Sequence, residues 1–322
     1  MSTLALSADE ARRRRPGYVA LVAVQFFFGL FPLFGKQAFQ HFSPRAVGAW
    51  RILFGAGVLA LLAFAIYGRR AWPDGRDWAR LVACALLGIV LNMFLFLEGL
   101  ERSTAVNTAL LLPLIPVFTA IVAIALRAER FDRGRALGMG LAFLGASVVL
   151  LQRGPDTSRS YLLGNSLVIL NEICYAVYLV IARPLLSRYP PLVVITWVFV
   201  LSLWAVPLFL AGDAELSPGA ASARSWSSIA YIVVFPTVLA YLLNVFALSR
   251  VSASTTAAFI FIQPLITIVG GLVWLGESLP ANFLLATALT FGGVWIVARR
   301  PAVKPLEPLL AEAGAAQSRA RE

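Results

Sequence analysis

Ten apolar runs, each of about 18–24 residues and bounded by charges, Pro or Gly, take up most of this chain. They cover 17–38, 44–67, 79–98, 103–126, 134–151, 162–182, 191–211, 226–247, 253–275 and 281–298. At a rise of 1.5 Å per residue, a helix of that length matches the hydrocarbon thickness of a bilayer. The residues AVILMFWYC make up 60% of the 322 positions and the charged ones 13%, with a mean hydropathy of +0.82. A soluble chain carries about 25% charged residues, and half that share cannot cover a water-facing surface. A soluble enzyme, a disordered chain and a disulfide-stapled secreted domain are therefore excluded. The reading is an all-α membrane protein with ten transmembrane helices.

The net charge of +11 belongs to this arrangement and not to a nucleic-acid partner, because the basic residues sit in short clusters between the runs. With the N-terminus inside, 20 of the 27 Lys and Arg fall on the cytoplasmic side, six on the other, and Arg51 within a run. The positive-inside rule then expects both termini in the cytoplasm and an even number of spans, in the plasma membrane. Arg12–Arg15 followed by an apolar run looks like the front of a signal peptide, but the run continues to about Phe39 and is read as a retained first span. Cys84 and Cys174 lie in different runs without CxxC spacing and read as packing residues.

An offset of 148 lays Leu100–Val149 over Leu248–Val297 without a gap. Arg102, Thr108, Pro116, Thr119, Glu129 and Gly145 fall on Arg250, Thr256, Pro264, Thr267, Glu277 and Gly293. At 147, Gln25 meets Glu172, Lys36 meets Arg183, Pro44 meets Pro191 and Trp50 meets Trp197. The chain thus divides into a basic tail at 1–16, a five-helix repeat at 17–151, a linker at 152–161, a second repeat at 162–298 and a polar tail at 299–322. An odd number of spans per repeat makes the two copies inverted, which is the architecture of alternating access.

Phe28-Gly29 followed by Lys36, then Ala49-Trp50-Arg51, and the stretch from Leu100-Glu101-Arg102-Ser103-Thr104-Ala105 through Pro113 and Pro116 to Glu129 resemble an EamA-type repeat. The copy from Leu248 through Gln263-Pro264 to Glu277 follows the same pattern. The chain is similar over 17–298 to ten-helix members of the drug/metabolite transporter superfamily, with Phe28 standing where the family often has Trp. The resemblance implies secondary transport of small metabolites, often export of amino acids or related solutes, usually driven by protons. It implies no cofactor and transfers no particular substrate.

A charge at the bilayer centre costs about 2.5–3.5 kcal/mol on insertion scales, so each buried one needs a reason. Glu172, near the middle of its run, either loads and unloads a proton or holds a substrate amine, or is a structural carboxyl bonded to Asn171, Asn165 or a neighbouring helix. Arg51 either grips a substrate carboxylate or phosphate with its paired donors or pairs with Glu98. Gln25, Asn107, Thr108, Thr256 and Gln263 are polar groups within spans that bond between helices or line a cavity. Pro113, Pro116 and Pro264 break helices where a cavity supplies replacement bonds, so the site is expected between the fourth, ninth, first and sixth spans. Trp50, Trp197, Phe26, Phe27, Tyr175 and Tyr178 are candidates for its aromatic walls.

The function expected is a proton-coupled exporter of a small polar or zwitterionic metabolite, with the lipid bilayer and protons as partners and close glycine packing that leaves room for a homodimer. A membrane enzyme acting on lipid has no HExxH, GxSxG or carboxylate-pair motif for metal in its favour, and no metal ligand set is apparent. A channel has no need of Glu172. The topology has a direct test: protease-sensitive tags fused at either end should be cut only in inside-out vesicles, and cleavage of either tag in intact cells contradicts the orientation.

Overall fold

A computed structural model describes residues 8–112, 114–126, 133–151, 159–211, 215–251, 256, 259–279 and 282–299, and every regular element among them is helical. Seven helical segments are long and apolar enough to cross a membrane, and three shorter apolar helices accompany them. In chain order α1 is Ala8–Ala38 and α2 is Pro44–Tyr67. α3 runs from Trp78–Ala85 through a wide turn at Leu86–Val90 into Leu91–Arg102, and α4 comprises Ala105–Leu111 and Leu114–Ala125. α5 is Arg133–Leu151, α6 is Arg159–Ala182, and α7 comprises Pro191–Val200 and Val206–Phe209. α8 joins Ala223–Ile232 to Ala240–Leu248 through a second wide turn at Val233–Leu239, followed by α9 at Ile262–Trp274 and α10 at Phe283–Arg299.

Local chemistry sets these boundaries. The Ser43, Thr104 and Ser222 hydroxyls accept from the backbone N–H three residues on and so cap α2, α4 and α8. Pro44 and Pro191 occupy the first helical position, where no N–H is needed. Gly68, with φ +53°, ends α2 in a backbone conformation that side chains disfavour. Against the predicted runs, α1 extends back through the four arginines, and the fourth and seventh spans are each broken in two. Before α9, the described residues of the ninth are Thr256 and the turn at Phe259–Phe261.

The helices pack as two interleaved copies. α3 lies against α6 as α8 lies against α1, and α4 lies against α6 as α9 lies against α1. α2 pairs with α7, α4 with α9 and α5 with α10, each helix meeting its own repeat mate. The wide turns of α3 and α8 begin 147 residues apart, the offset that aligns the sequence. In each a backbone N–H reaches the carbonyl five residues back, Leu91 to Leu86 and Ala240 to Phe235. The matched tryptophans cross over: Trp50 Nε1 donates to Leu216 O at 2.8 Å beyond α7, and Trp197 Nε1 donates to Ala71 O at 2.6 Å beyond α2. The connections are tied reciprocally as well. Arg188 and Tyr189 bond Asp77 at 2.7 and 2.8 Å, joining the α6–α7 link to the start of α3, while His41 meets Ser225 at 2.9 Å, joining the α1–α2 link to the start of α8.

Outward-facing positions carry large apolar side chains such as Leu61, Ile66, Val273 and Leu284. In water this would be an aggregation surface; against lipid it is the expected face. The approach of α3 to α6 is glycine-made. A Cβ on Gly99 of α3 would stand 2.9 Å from Gly164 O of α6, and one on Gly164 would stand 2.8 Å from Arg102 Cβ. Gly99→Ala and Gly164→Ala should therefore each destabilise the protein by about 1–3 kcal/mol through overpacking, read as a lower unfolding midpoint in detergent. Gly57→Ala, inside α2 with open space around it, should not lower that midpoint.

Candidate functional site

The wide turn of α8 builds the first half of the site. Pro236 has no N–H, so the carbonyl of Ile232 loses its ordinary helical partner. The Thr237 hydroxyl donates to that carbonyl at 2.8 Å, which leaves its oxygen lone pairs free. Arg51 Nε of α2 donates to one of them at 2.9 Å. The guanidinium also lies 4.5 Å from the centre of the Phe31 ring, and Tyr241 lines the same cavity. Arg51 is 2% exposed, and among the described residues no carboxylate pairs with it. A buried cation held by a hydroxyl and a ring face has donors left for an anion.

Arg51 opens onto a cavity with about 520 Å³ of empty space, its open mouth included. Phe28, Phe31 and Pro32 of α1, Phe96 of α3, Tyr175 of α6 and Tyr241 of α8 give it aromatic and apolar walls. Leu112 and Ile115 of α4 stand opposite Ile260 and Gln263 of the second repeat, and Asn92 and Asn171 add amides. Phe28 and Tyr175, Leu112 and Ile260, and Ile115 and Gln263 are repeat mates, so the cavity straddles the pseudo-two-fold axis. The helix breaks lie beside it. Pro116 leaves the Leu112 carbonyl to accept from Ile115 N at 3.1 Å, and Pro264 follows the turn at Phe259–Phe261 that opens α9. Among the described residues Arg51 is the one charged residue in this lining. No group of three His, Cys, Asp or Glu converges among the described residues.

Glu172 is fully buried and stands one step behind the wall, where Asn171 Nδ2 donates to its Oε1 at 3.1 Å. Among the described residues its Oε2 has no hydrogen-bond partner. The repeat accounts for the difference from its mate. Gln25, the mate of Glu172, is satisfied by Gln263 Nε2 at 2.5 Å, but at the 148-residue offset Gln263 corresponds to Ile115, which has nothing to donate.

The other predicted residues are distributed differently. Gln263 lines the cavity, with Gln25 buried behind it. Thr108 and Thr256 are buried, and the Thr108 hydroxyl has no partner among the described residues. Asn107 lies at the first turn of α4, where its side chain bonds the Tyr161 hydroxyl. Glu98 is away from the cavity and does not meet Arg51: its Oε1 accepts from Arg45 at 3.1 Å and its Oε2 from Arg102 at 2.5 Å. Pro113, Glu129 and Thr255 lie outside the described residues. Glu277 accepts from the Ala105 and Val106 N–H groups at 3.0 and 2.9 Å, holding the start of α4.

Of the candidate aromatic walls only Tyr175 lines the cavity. Trp50 and Trp197 hold loops, Phe26 is exposed, Phe27 packs on Phe235 and Tyr178 packs against Gly88. Thr237 and Tyr241 are the residues that sequence reading passed over. Pro236, the lone proline of the eighth run, was their signal.

The sequence pattern of the EamA-like transporter family matches residues 15–151 and again 162–299. An uncharacterized transporter of Bacillus subtilis, YyaM, is 26% identical over 287 residues, covering 86% of this chain and 93% of that protein. A probable terminal-alkyne amino-acid exporter of Streptantibioticus cattleyicolor is 28% identical over 256 residues, covering 78% and 82%. A protein solved by crystallography shares the fold with a TM-score of 0.64 at 16% identity, covering 89% of this chain and 96% of that one. With both halves matched separately and the two repeats built around one cavity, this chain belongs to the EamA-like transporter family.

Proposed function

We propose that this transporter is a proton-coupled exporter of a small, amino-acid-like metabolite, working by alternating access in the plasma membrane. The observation that carries the reading is the cavity on the pseudo-two-fold axis with an unpaired Arg51 in its wall. The guanidinium fork suits a carboxylate, and the rings of Phe28, Phe31, Phe96, Tyr175 and Tyr241 suit an apolar side chain or the face of a flat one. An ammonium group finds amide oxygens and ring faces there, with no acidic side chain in the lining. Glu172 carries the coupling proton from its position behind Asn171. The amino-acid exporter among the relatives supports both the direction and the solute class.

Two mutants test the assignment in proteoliposomes with an imposed pH gradient and a panel of aromatic, aliphatic and polar amino acids. Arg51→Gln should weaken binding of the transported solute by about 30-fold or more, the consequence of removing one partner of a desolvated charge pair. Arg51→Lys, which keeps the charge and loses the fork, should fall between Arg51→Gln and wild type. Glu172→Gln should still bind solute, and its flux should no longer respond to the pH gradient. A Glu172→Gln protein whose flux still follows the gradient removes Glu172 from the mechanism; a protein that moves none of the panel removes the amino-acid-like assignment.

A further inference from the structure

Thr237 is set between the carbonyl that Pro236 leaves open and the cation of α2. Its hydroxyl proton goes to Ile232 O at 2.8 Å, so toward Arg51 the oxygen can only accept, and Arg51 Nε donates to it at 2.9 Å. The methyl is fixed as well. Gly55 lies one turn after Arg51 on the same face of α2, and a Cβ added there would stand 3.2 Å from Thr237 Cγ2. Thr237 is fully buried, and its proton, lone pair and methyl each have a fixed neighbour.

The first repeat supplies an internal control. Its wide turn at Leu86–Val90 begins 147 residues before that of α8, which makes Ile89 the mate of Pro236 and Val90 the mate of Thr237. The turn of α3 therefore forms with neither a proline nor a hydroxyl at these places. Arg51 has Val198 as its mate. Where the mate of the arginine is apolar, the mate of the threonine is apolar too.

A guanidinium offers an anion two forks, one of Nε with a terminal nitrogen and one of the two terminal nitrogens. The bond to Thr237 occupies the first, and the Phe31 ring lies over the group at 4.5 Å. We propose that Thr237 is the positioning residue of the anion site. By holding Nε it aims the terminal nitrogens of Arg51 into the cavity, and a carboxylate is taken end-on by that pair. The inference rests on the transporter reading of the cavity and adds to it the residue that sets the geometry of binding. An arginine not held at Nε can turn either fork, or neither, toward a solute. Fixing the side chain in advance removes that ordering cost from the binding step.

Thr237→Val keeps the branched shape, reproduces the residue found at the mate position and removes the hydroxyl. In proteoliposomes with L-phenylalanine and L-leucine as probes, it should raise KM about tenfold and leave the maximal rate little changed. Thr237→Ser, which keeps the hydroxyl, should bind as wild type does. In an Arg51→Gln background Thr237→Val should add nothing, because the group it positions is gone. An unchanged KM in Thr237→Val, or a rise of equal size with and without Arg51, overturns the assignment; the hydroxyl then serves only the Ile232 carbonyl. A KM unmoved in Arg51→Gln itself rejects the anion site, and the role of Thr237 with it.

The geometry has a readout that needs no solute. In protein labelled with 15N-arginine and held in nanodiscs, the Nε–H signal of Arg51 is identified by its loss in Arg51→Gln. That signal should be displaced, and should exchange faster with water, in Thr237→Val but not in Thr237→Ser. A signal that Thr237→Val leaves in place overturns the positioning even where transport is found. A displaced signal without transport of either probe supports the positioning and removes the amino-acid-like reading instead.

Discussion

Hydrocarbon offers no hydrogen bonds, and the rest of this structure depends on that constraint. A backbone carbonyl or N–H left open in lipid costs several kcal/mol, so every long segment here is a helix. Departures from regular helix gather where other side chains can answer them. Pro116 loosens α4 and Pro264 follows the turn that opens α9, on opposite sides of the cavity. Pro236 frees the Ile232 carbonyl in the wide turn of α8, and Thr237 takes it up. The matching turn of α3 offers its Gly88 carbonyl to Tyr241. The same breaks that would be costly facing lipid become the means of presenting polar groups to the centre.

On this symmetric frame the charges are asymmetric. Gln25 and Gln263 satisfy each other between α1 and α9, whereas Glu172 and Ile115 stand at the equivalent places between α6 and α4. Arg51 has Val198 as its repeat mate. One repeat therefore contributes the cation and the other the carboxyl, each placed where its counterpart is neutral. The frame accounts for two equivalent packings, and the exchanged residues give the centre its chemistry. Other ionised groups are kept apart from it: Glu98 is committed to Arg45 and Arg102, and Asp77 to Arg188 and Tyr189.

Much of the fold was legible from hydropathy and the repeat offset, because a bilayer imposes one length and one secondary structure on whatever crosses it. Helix ends such as Pro44–Tyr67 follow from a Ser-Pro start and a glycine stop. The split of α7 after Val200 was not read from the sequence, although Ser202 and Pro207 lie at it and mark such a break. Arg51 and Glu172 were visible as charges without water. Glu98 looked the same by that criterion, yet it lies at a helix end within reach of Arg45 from α2 and of Arg102 one turn on in its own helix. The aromatic walls were misassigned because Trp and Tyr serve equally as loop anchors, packing groups and cavity lining, and only position separates those roles.

The sequence by itself determined that the chain is a membrane protein of two related halves with a small number of buried charges. Those properties follow from transfer energies and from the repeat, which act on residues one at a time or at a fixed spacing. Tertiary structure decided which buried charges share a site. Arg51 and Glu172 are separated along the chain by most of the first repeat, and Thr237 and Tyr241 belong to the second. Only the packing of α2, α3, α6 and α8 sets Arg51 on Thr237 and Asn92 beside Asn171 around one cavity that Tyr241 also lines, with Glu172 behind it. Hydrogen bonds depend on distances of a few tenths of an ångström and on direction, and neither is carried by composition or periodicity.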